Sequence, residues 1–270
     1  MSARTATVLD RILAETREEL VRRKREHPLS SIAAAPAPAS GERRFRDALA
    51  ADGIGVIAEF KRRSPSAGAL REAPDLSEIV RAYERGGAVA ASILTEGPNF
   101  GGSLEDLRAA RQACGLALLR KDFVVDAYQL HEARAAGADA VLLIVAALDV
   151  PELTSLYATA RELGLDVLVE VHDRGELRLA IELGADIIGV NNRDLRDFSV
   201  DIERTARLME HIPAGVIVVS ESGIATAEQL QALRQRGVEA VLVGEALMRA
   251  TDPALALADL RSFRHTDAGL

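Results

Sequence analysis

The chain has 270 residues, 48% of them hydrophobic and 27% charged, a length that is common for an α/β barrel built as one unit. The net charge of −8 argues against a broad nucleic-acid-binding surface, and no apolar run is long enough to form a membrane-spanning helix. A single cysteine, Cys114, supports no disulfide framework, and no signal-peptide pattern is present, so we expect a cytoplasmic protein.

The N-terminal stretch is predicted to be a helical extension outside the repeating part of the chain. In residues 7–27 the apolar side chains share one helical stripe, opposite a face rich in Arg and Glu. An Ala/Pro-rich linker follows at residues 33–41, and a short helix is expected over residues 43–50. We therefore expect residues 1–50 to pack as an extension and linker on a barrel domain formed by residues 51–270.

From Gly55 onward the chain repeats one strand–helix unit. Short apolar runs rich in β-branched residues begin near Gly55, Ala90, Leu116, Ala140, Asp166, Ile187, Val216 and Ala240. Four of the intervening helices have a predicted N-cap and a partner three positions on: Asp75 with Glu78, Ser103 with Asp106, Asp173 with Glu176, and Thr226 with Gln229. Five glycines are expected to end helices in the left-handed conformation: Gly86, Gly137, Gly164, Gly184 and Gly237.

Eight such units suit parallel strands joined by crossover helices, an alternation that a doubly wound open sheet also shows. The count of eight, together with a last helix from Asp252 to Phe263, favours a closed barrel over an open sheet. The predicted fold is therefore α/β, a (βα)8 TIM barrel with an N-terminal helical extension.

Polar residues gather where the predicted strands end, whereas the strand interiors are Val, Ile, Leu and Ala. The ends in question are residues 59–61 (EFK), 120–122 (RKD), 170–172 (EVH), 191–194 (NNRD) and 220–223 (SESG). In a barrel the carboxyl ends of the strands surround the active-site mouth, so this asymmetry predicts a reaction face. Structural ion pairs at the rim would account for one such charge, but account poorly for five strand ends together.

Two glycine-bearing turns follow the last two strands, at residues 222–224 (SGI) and 244–246 (GEA). Backbone N–H groups in such turns, ahead of a helix, bind anions, and phosphate-binding barrels hold their phosphate at this place. The five histidines lack metal-ligand spacing and are expected to be surface or helix residues; His172 alone lies near the predicted mouth. We find no nucleotide-binding glycine loop, so neither metal nor cofactor is predicted.

Residues 57–66 (IAEFKRRSPS) closely resemble the first-strand motif of the indole-3-glycerol phosphate synthase family. Further matches follow in order at residues 94–96 (LTE), 100–103 (FGGS), 119–123 (LRKDF), 142–144 (LLI), 169–171 (VEV), 190–195 (VNNRDL), 221–224 (ESGI) and 243–248 (VGEALM). This resemblance covers the whole barrel, and the amphipathic N-terminal helix matches the family's extra helical segment.

The resemblance implies conversion of 1-(o-carboxyphenylamino)-1-deoxyribulose 5-phosphate into indole-3-glycerol phosphate, with loss of carbon dioxide and water. It implies that Lys121 is the general acid, Glu170 the carboxylate of the dehydration and Lys61 a second catalytic lysine. It also implies that Glu59 and Asn191 hold the lysines and the sugar hydroxyls in position. We expect Lys61 to crowd Lys121 and so to lower the pKa of Lys121.

The remaining implied site residues bind the substrate. Phosphate-binding segments and their support are implied at Ser64, Arg193, Glu221, Ser222, Gly223, Gly244 and Glu245. Apolar walls around the aromatic ring are implied at Phe100, Phe123, Leu142 and Leu195. At Glu245 only the backbone N–H is a credible phosphate donor, so its carboxylate is expected to point away.

Two alternatives stay open at this point. A phosphoribosylanthranilate isomerase or another sugar-phosphate isomerase would share the glycine turns but would not need two lysines with Glu59 and Glu170. A catalytically silent barrel that serves as a partner-binding subunit has no reason to keep costly unpaired charges. The expected partner is a small phosphorylated substrate, with no nucleic acid or membrane, and the expected state is a monomer or weak homo-oligomer.

Overall fold

The computed structural model describes residues 7–33, 44–51, 53–194 and 199–262. Eight parallel strands close into a barrel in which β8 pairs with β1. They are β1 Gly55–Phe60, β2 Ala90–Leu94, β3 Ala117–Lys121, β4 Ala140–Ile144, β5 Asp166–Val171, β6 Ile187–Asn191, β7 Ile217–Glu221 and β8 Ala240–Val243. The predicted barrel is therefore confirmed, and each strand begins within one residue of the predicted start.

Helices lie between the strands and before the barrel. They are α1 Val8–Glu26, α2 Leu29–Ala33, α3 Arg44–Leu49, α4 Leu76–Arg85, α5 Leu104–Ala113, α6 Ala127–Ala136, α7 Val150–Glu162, α8 Arg174–Glu182, α9 Glu203–Met209, α10 Ala227–Gln235, α11 Glu245–Arg249 and α12 Pro253–Arg261. The four predicted N-caps all accept a hydrogen bond from the backbone three residues on. These local bonds satisfy amide groups that a helix start leaves free.

One of the five predicted helix-ending glycines is wrong. Gly137, Gly164, Gly184 and Gly237 have positive φ, but Gly86 has φ of −74° and the left-handed residue is its neighbour Gly87, at 86°. Gly86 is the C-cap of α4: its amide still donates to Ala82 O, so the left-handed turn comes one residue later. The sequence Gly86-Gly87 gave no local basis for choosing the second glycine.

Alternate residues of each strand point to opposite sides of the barrel wall, which divides the core in two. On β3, Leu118 packs outward against the helices, whereas Leu119 packs inside the barrel with Leu142 and Leu168. Lys121 is two residues beyond Leu119 and therefore lies on the inner side. The same alternation brings the side chains of every second strand-end residue into the mouth.

The extension contacts both ends of the barrel. Near the mouth, α1 buries Ile12 and Leu13 in the inner cluster, and Tyr128 donates a hydrogen bond of 2.8 Å to His27 O. At the opposite end, Phe45 of α3 is fully buried beneath the inner strands. The predicted Ala/Pro linker lies mostly outside the described residues. Among the described helices, none is long and apolar enough to cross a membrane.

Candidate active site at the barrel mouth

A cavity of 440 Å³ opens at the carboxyl ends of the strands. Its lining consists of strand-end residues and the loops that follow. It includes the following predicted site residues: Glu59, Lys61, Ser64, Phe100, Lys121, Phe123, Leu142, Glu170, Asn191, Arg193, Glu221, Ser222, Gly223, Gly244 and Glu245. The other predicted residue, Leu195, lies outside the described residues. Contributions from all eight strands and the loops that follow them thus converge on one space.

Lys121 lies at the centre of the charged part of this cavity. Its Nζ is 2.9 Å from Oε2 of Glu170 and 2.7 Å from Oε2 of Glu221, so three strands meet at one ammonium group. Burial works against this charge, but the two carboxylates outweigh burial and raise the pKa of Lys121 above its ordinary value. The expected lowering of this pKa by Lys61 is therefore wrong: Lys61 pairs instead with Glu59, at 2.5 Å.

The two carboxylates on Lys121 are not equivalent. Burial opposes ionisation of both, yet Lys121, His172 and Asn191 lower the pKa of Glu170 to about 2. Asn191 Nδ2 donates to Glu170 Oε1 over 3.1 Å. Burial and the neighbouring Glu170 together raise the pKa of Glu221 to about 7, despite Lys121. Near neutral pH the site therefore combines an ionised carboxylate with one that titrates.

Two glycines make room for these carboxylates. A Cβ on Gly189 of β6 would overlap the carboxylate of Glu221, and a Cβ on Gly244 would overlap the carboxylate of Glu59. Gly244 was predicted only as a phosphate-binding glycine. The absence of a side chain at Gly244 also lets Glu59 lie close to the end of β8. This packing requirement is a second reason for a glycine at this position, and the sequence did not reveal it.

The turn at Ser222-Gly223 has an unusual backbone. Both residues have positive φ, 67° at Ser222 and 83° at Gly223, a region that residues other than glycine rarely adopt. Ser222 Oγ donates to Asn191 Oδ1 over 3.0 Å, and Asn192 Nδ2 donates to Ser222 O over 3.1 Å. Strain of this kind persists where the surroundings hold the backbone in place, as these two bonds do.

Ser64 and Glu245 border the same part of the cavity. The amide of Ala67 donates to Ser64 Oγ, which keeps that hydroxyl within its own loop. Glu245 Oε1 accepts from Arg249 Nε at 3.1 Å, so its carboxylate is held by its own helix. Arg249 also lines the cavity and was not predicted. Its spacing of four residues from Glu245 in a helix was the only available signal.

An apolar wall lies beside the charged groups in the same cavity. The rings of Phe100 and Phe123 are 6.2 Å apart and tilted by 40°, an arrangement that favours contact between aromatic rings. Leu142 and Ile144 from β4 continue this wall. The cavity thus has one charged side and one side suited to a flat aromatic group.

Three polar strand-end residues that the sequence grouped with the mouth point away from it: Arg120, Asn192 and Ser220. Arg120 is fully buried outside the barrel wall, where its guanidinium donates to Asp122 Oδ2 at 2.8 Å and to the carbonyl of Gln129 at 2.6 Å. Asn192 bonds to Ser220 and Thr205 behind β7. Strand alternation requires this, because Arg120 and Asn192 each neighbour a residue that points inward.

His172 is also placed differently from the prediction. It is not a surface residue, since only 12% of its side chain is exposed and it lies between Glu170 and Glu176. Among the described residues, no group of three or more His, Cys, Asp or Glu side chains is arranged to hold a metal ion. The polar groups that line the described part of the cavity are lysines, arginines, carboxylates, an amide and hydroxyls.

Comparisons with known proteins show which family the sequence matches. The sequence model of the family described as indole-3-glycerol phosphate synthase matches residues 9–260. Indole-3-glycerol phosphate synthase 2 of Streptomyces coelicolor is 50% identical over 94% of this chain and 98% of its own length. The indole-3-glycerol phosphate synthase of Mycobacterium ulcerans is 49% identical over 94% of both chains.

Solved structures share the fold at much lower identity. Thiamine phosphate pyrophosphorylase from Pyrococcus furiosus has a TM-score of 0.59 and 21% identity, covering 80% of this chain and 96% of its own. The 3-hexulose-6-phosphate synthase of Salmonella typhimurium has a TM-score of 0.59 and 18% identity, covering 77% and 96%. These structures support the barrel fold alone, whereas the family match spans nearly the whole chain. The chain belongs to the indole-3-glycerol phosphate synthase family.

Proposed function

We propose that the mouth cavity converts 1-(o-carboxyphenylamino)-1-deoxyribulose 5-phosphate into indole-3-glycerol phosphate, with Lys121, Glu170 and Lys61 as its catalytic residues. Family membership makes the chain a carboxy-lyase of tryptophan biosynthesis. The observation that best supports these roles is the position of Lys121, which is held between Glu170 and Glu221 in the cavity that the aromatic wall also lines. Ring closure needs an acid at this place, beside a surface that fits the anthranilate ring.

Lys121 is the proposed general acid. Its two carboxylate partners keep the ammonium protonated before the substrate binds. Displacement of a carboxylate by the substrate carbonyl, or protonation of Glu221, removes part of what raises the pKa of Lys121. The proton then becomes available to the carbonyl oxygen as the aromatic carbon attacks. Lys61, paired with Glu59 at the rim, is placed to attract the substrate carboxylate before it leaves as carbon dioxide.

Glu170 is the proposed carboxylate of the dehydration. Its lowered pKa keeps it ionised near neutral pH, so that it has the free oxygen that a proton acceptor needs, and Asn191 fixes its other oxygen. Loss of water takes one proton to the departing hydroxyl and removes one from the ring. A carboxylate that accepts the ring proton and returns it to the hydroxyl ends the step in its starting state.

The phosphate is proposed to bind at the turns after β7 and β8. The amides of Gly223, Gly244 and Glu245 would donate to its oxygens, with the hydroxyls of Ser64 and Ser222 beside them. Gly223 has left-handed φ, and a Cβ there would overlap Val200, so only glycine allows this turn its present course beside the proposed phosphate site. Arg193 lines this side of the cavity and would contribute positive charge.

We also propose where the enzyme acts, what it binds and how its domain is organised. We place the enzyme in the cytoplasm, acting on a small phosphorylated substrate without a cofactor, as a monomer or weak homo-oligomer. Residues 1–50 would serve as an extension packed on the catalytic barrel of residues 51–270, an assignment supported by the contacts of α1 and α3 with the two ends of the barrel.

Incubation of the purified chain with the carboxyphenylamino substrate, followed by indole fluorescence, tests the activity directly. A parallel incubation with phosphoribosylanthranilate tests the isomerase alternative. Product in the first assay only is the expected result. Turnover in the second assay alone would favour the isomerase, and inactivity in both would favour a silent barrel.

A further inference from the structure

The imidazole of His172 has two different neighbours, one on each ring nitrogen. Glu176 at the start of α8 accepts a hydrogen bond of 2.7 Å from the His172 backbone N–H, and the same oxygen lies 3.1 Å from Nδ1. On the other side, Nε2 lies 3.4 Å from Oε1 of Glu170. Nε2 is buried and makes no hydrogen bond with any described residue.

This geometry determines where the protons of the imidazole lie. A carboxylate can only accept, so the contact with Glu176 requires a proton on Nδ1. Any second proton must then reside on Nε2, facing Glu170. A neutral imidazole would instead present a lone pair to the Glu170 carboxylate, which is an unfavourable contact in a buried place.

We infer that His172 is a positioning residue of the dehydration, which acts through Glu170 by holding a proton on Nε2 against Oε1 of that carboxylate. The inference rests on the proposed role of Glu170. His172 does not line the mouth cavity, so it has no direct contact with the substrate site. Its own proton remains on Nε2 throughout, while Glu170 accepts one proton from the ring and returns one to the departing hydroxyl.

The charged groups around the imidazole favour this state. Burial opposes the charge on His172, but Glu176 of α8, Glu170 of β5 and Glu221 of β7 outweigh burial and raise the pKa of His172 above its ordinary value. Lys121 is the cation near these carboxylates, and it pairs with Glu170. Because the pKa is raised, His172 is charged at low pH and loses its charge as pH rises through the shifted value.

Nuclear magnetic resonance of the full chain with ¹⁵N-labelled histidine tests the contact without substrate. We expect the His172 signals, assigned by their loss in His172→Asn, to show a proton on Nδ1 and a titration above pH 6.5. Glu170→Gln and Glu176→Gln should each lower this titration point. A proton on Nε2 alone in the neutral form, or a titration unchanged in Glu170→Gln, would overturn the inference.

Single-turnover kinetics test the role. His172→Asn should slow dehydration about 10-fold, a part of the 100- to 10,000-fold that acid–base catalysis contributes, while ring closure and KM change little. The ionisation assigned to His172 should vanish from the pH profile of that step. His172→Gln, which keeps a neutral donor near the Nε2 position, should recover part of the rate without the ionisation. The exposed His211 is the matched control, and His211→Asn should change neither quantity.

The outcomes separate this inference from the proposed function. A wild-type dehydration rate and pH profile in His172→Asn would overturn the positioning role, as would an equal loss at every pH that accompanies a fall in Tm. If the wild-type chain fails to turn over the substrate, the proposed function fails and the catalytic role of His172 fails with it. The resonance titration still decides in that case whether His172 contacts Glu170.

Discussion

Buried acidic side chains lie at both ends of the barrel, but they have different partners. At the mouth, Glu170 and Glu221 face a cavity and share the ammonium of Lys121. At the opposite end, the buried Asp139 accepts a hydrogen bond of 2.8 Å from the amide of Leu118 on the neighbouring strand, and the half-buried Glu239 does the same for Val218. The carboxylates at the mouth therefore bind the ammonium group of Lys121, whereas the carboxylates at the opposite end link adjacent strands. Residue type alone does not distinguish the two roles.

The largest expected effect is the loss of activity in Lys121→Met. General acid catalysis contributes about 100- to 10,000-fold to rate, so kcat should fall by that factor. The change also leaves Glu170 and Glu221 without their cation, so they should take up protons, and the variant should be less stable at pH 8 than at pH 5. Steady-state kinetics measure the fall in kcat, and urea unfolding at pH 5 and pH 8 measures the difference in stability.

A lysine outside the mouth provides the control. Lys24 of α1 pairs with Asp126 at 2.6 Å on an exposed surface, and Lys24→Met should leave kcat unchanged. Near wild-type kcat in Lys121→Met would refute the assignment of the general acid.

Asp139→Asn should produce the opposite result at the other end of the barrel. Asp139 also pairs with Arg111 at 3.2 Å, and loss of a buried, charged hydrogen-bond acceptor costs about 1.5–3 kcal/mol. The free energy of unfolding should fall by this amount while kcat and KM stay the same. Glu105→Gln, which removes an exposed pair with Arg108, should change the free energy by less than about 0.5 kcal/mol. A loss of kcat in Asp139→Asn without a loss of stability would contradict the division between the two ends.

Two glycines with similar backbones sharpen the comparison. Gly223 at the mouth has φ of 83°, and a Cβ there would lie 2.6 Å from Val200 Cγ1. Gly164, in the loop before β5 at the opposite end, has φ of 75° and open space around a Cβ. Gly223→Val should raise KM by about 10-fold or more, because hydrogen bonds to a charged phosphate are worth about 1.5–3 kcal/mol.

Gly164→Val carries a comparable backbone strain without a phosphate to displace. It should lower stability and leave KM unchanged. Inhibition by inorganic phosphate should weaken in the Gly223 variant by the same factor as KM rises. Equal changes of KM in both variants would show that strain alone was responsible, and would remove Gly223 from the phosphate site.

The smallest expected effect is a change in how stability depends on pH. Because the pKa of Glu221 is raised from 4.5 to about 7, the folded chain keeps this proton longer than the unfolded chain. The resulting stabilisation is full below pH 4.5 and is lost as pH rises through 7. Glu221→Gln should remove this decline of the free energy of unfolding with rising pH. The urea midpoints of both proteins between pH 5 and 8 measure the difference. An unchanged slope would mean that Glu221 is ionised throughout this range.

Most of the scaffold could be predicted from local sequence. Ser103 with Asp106 and Thr226 with Gln229 identified helix starts, because a cap and its amide lie within four residues of each other. The strand starts could be predicted because buried parallel strands require short runs of β-branched residues. The residues of the mouth followed from the positions of the strand ends together with the motif at residues 57–66.

The pairing of the charges could not be predicted in the same way. Lys61 was expected to influence Lys121, but each lysine is neutralised by other groups. Glu170 and Glu221 are 49 and 100 residues from Lys121 in the chain, so only closure of the barrel brings them within 3 Å. Sequence also could not show that Arg120 is buried among acceptors or that His172 lies against Glu170.

The sequence by itself determined the eight repeated units, the alternation of neighbouring strand residues between the two faces of the wall, and which residue types stand at the strand ends. These follow from short-range hydrogen bonds and from the two-residue period of a strand. Tertiary structure alone decided which carboxylate meets which cation, and therefore the direction in which each pKa moves. Electrostatic energy depends on separation in space and on burial, and both are set only when strands distant in sequence become neighbours.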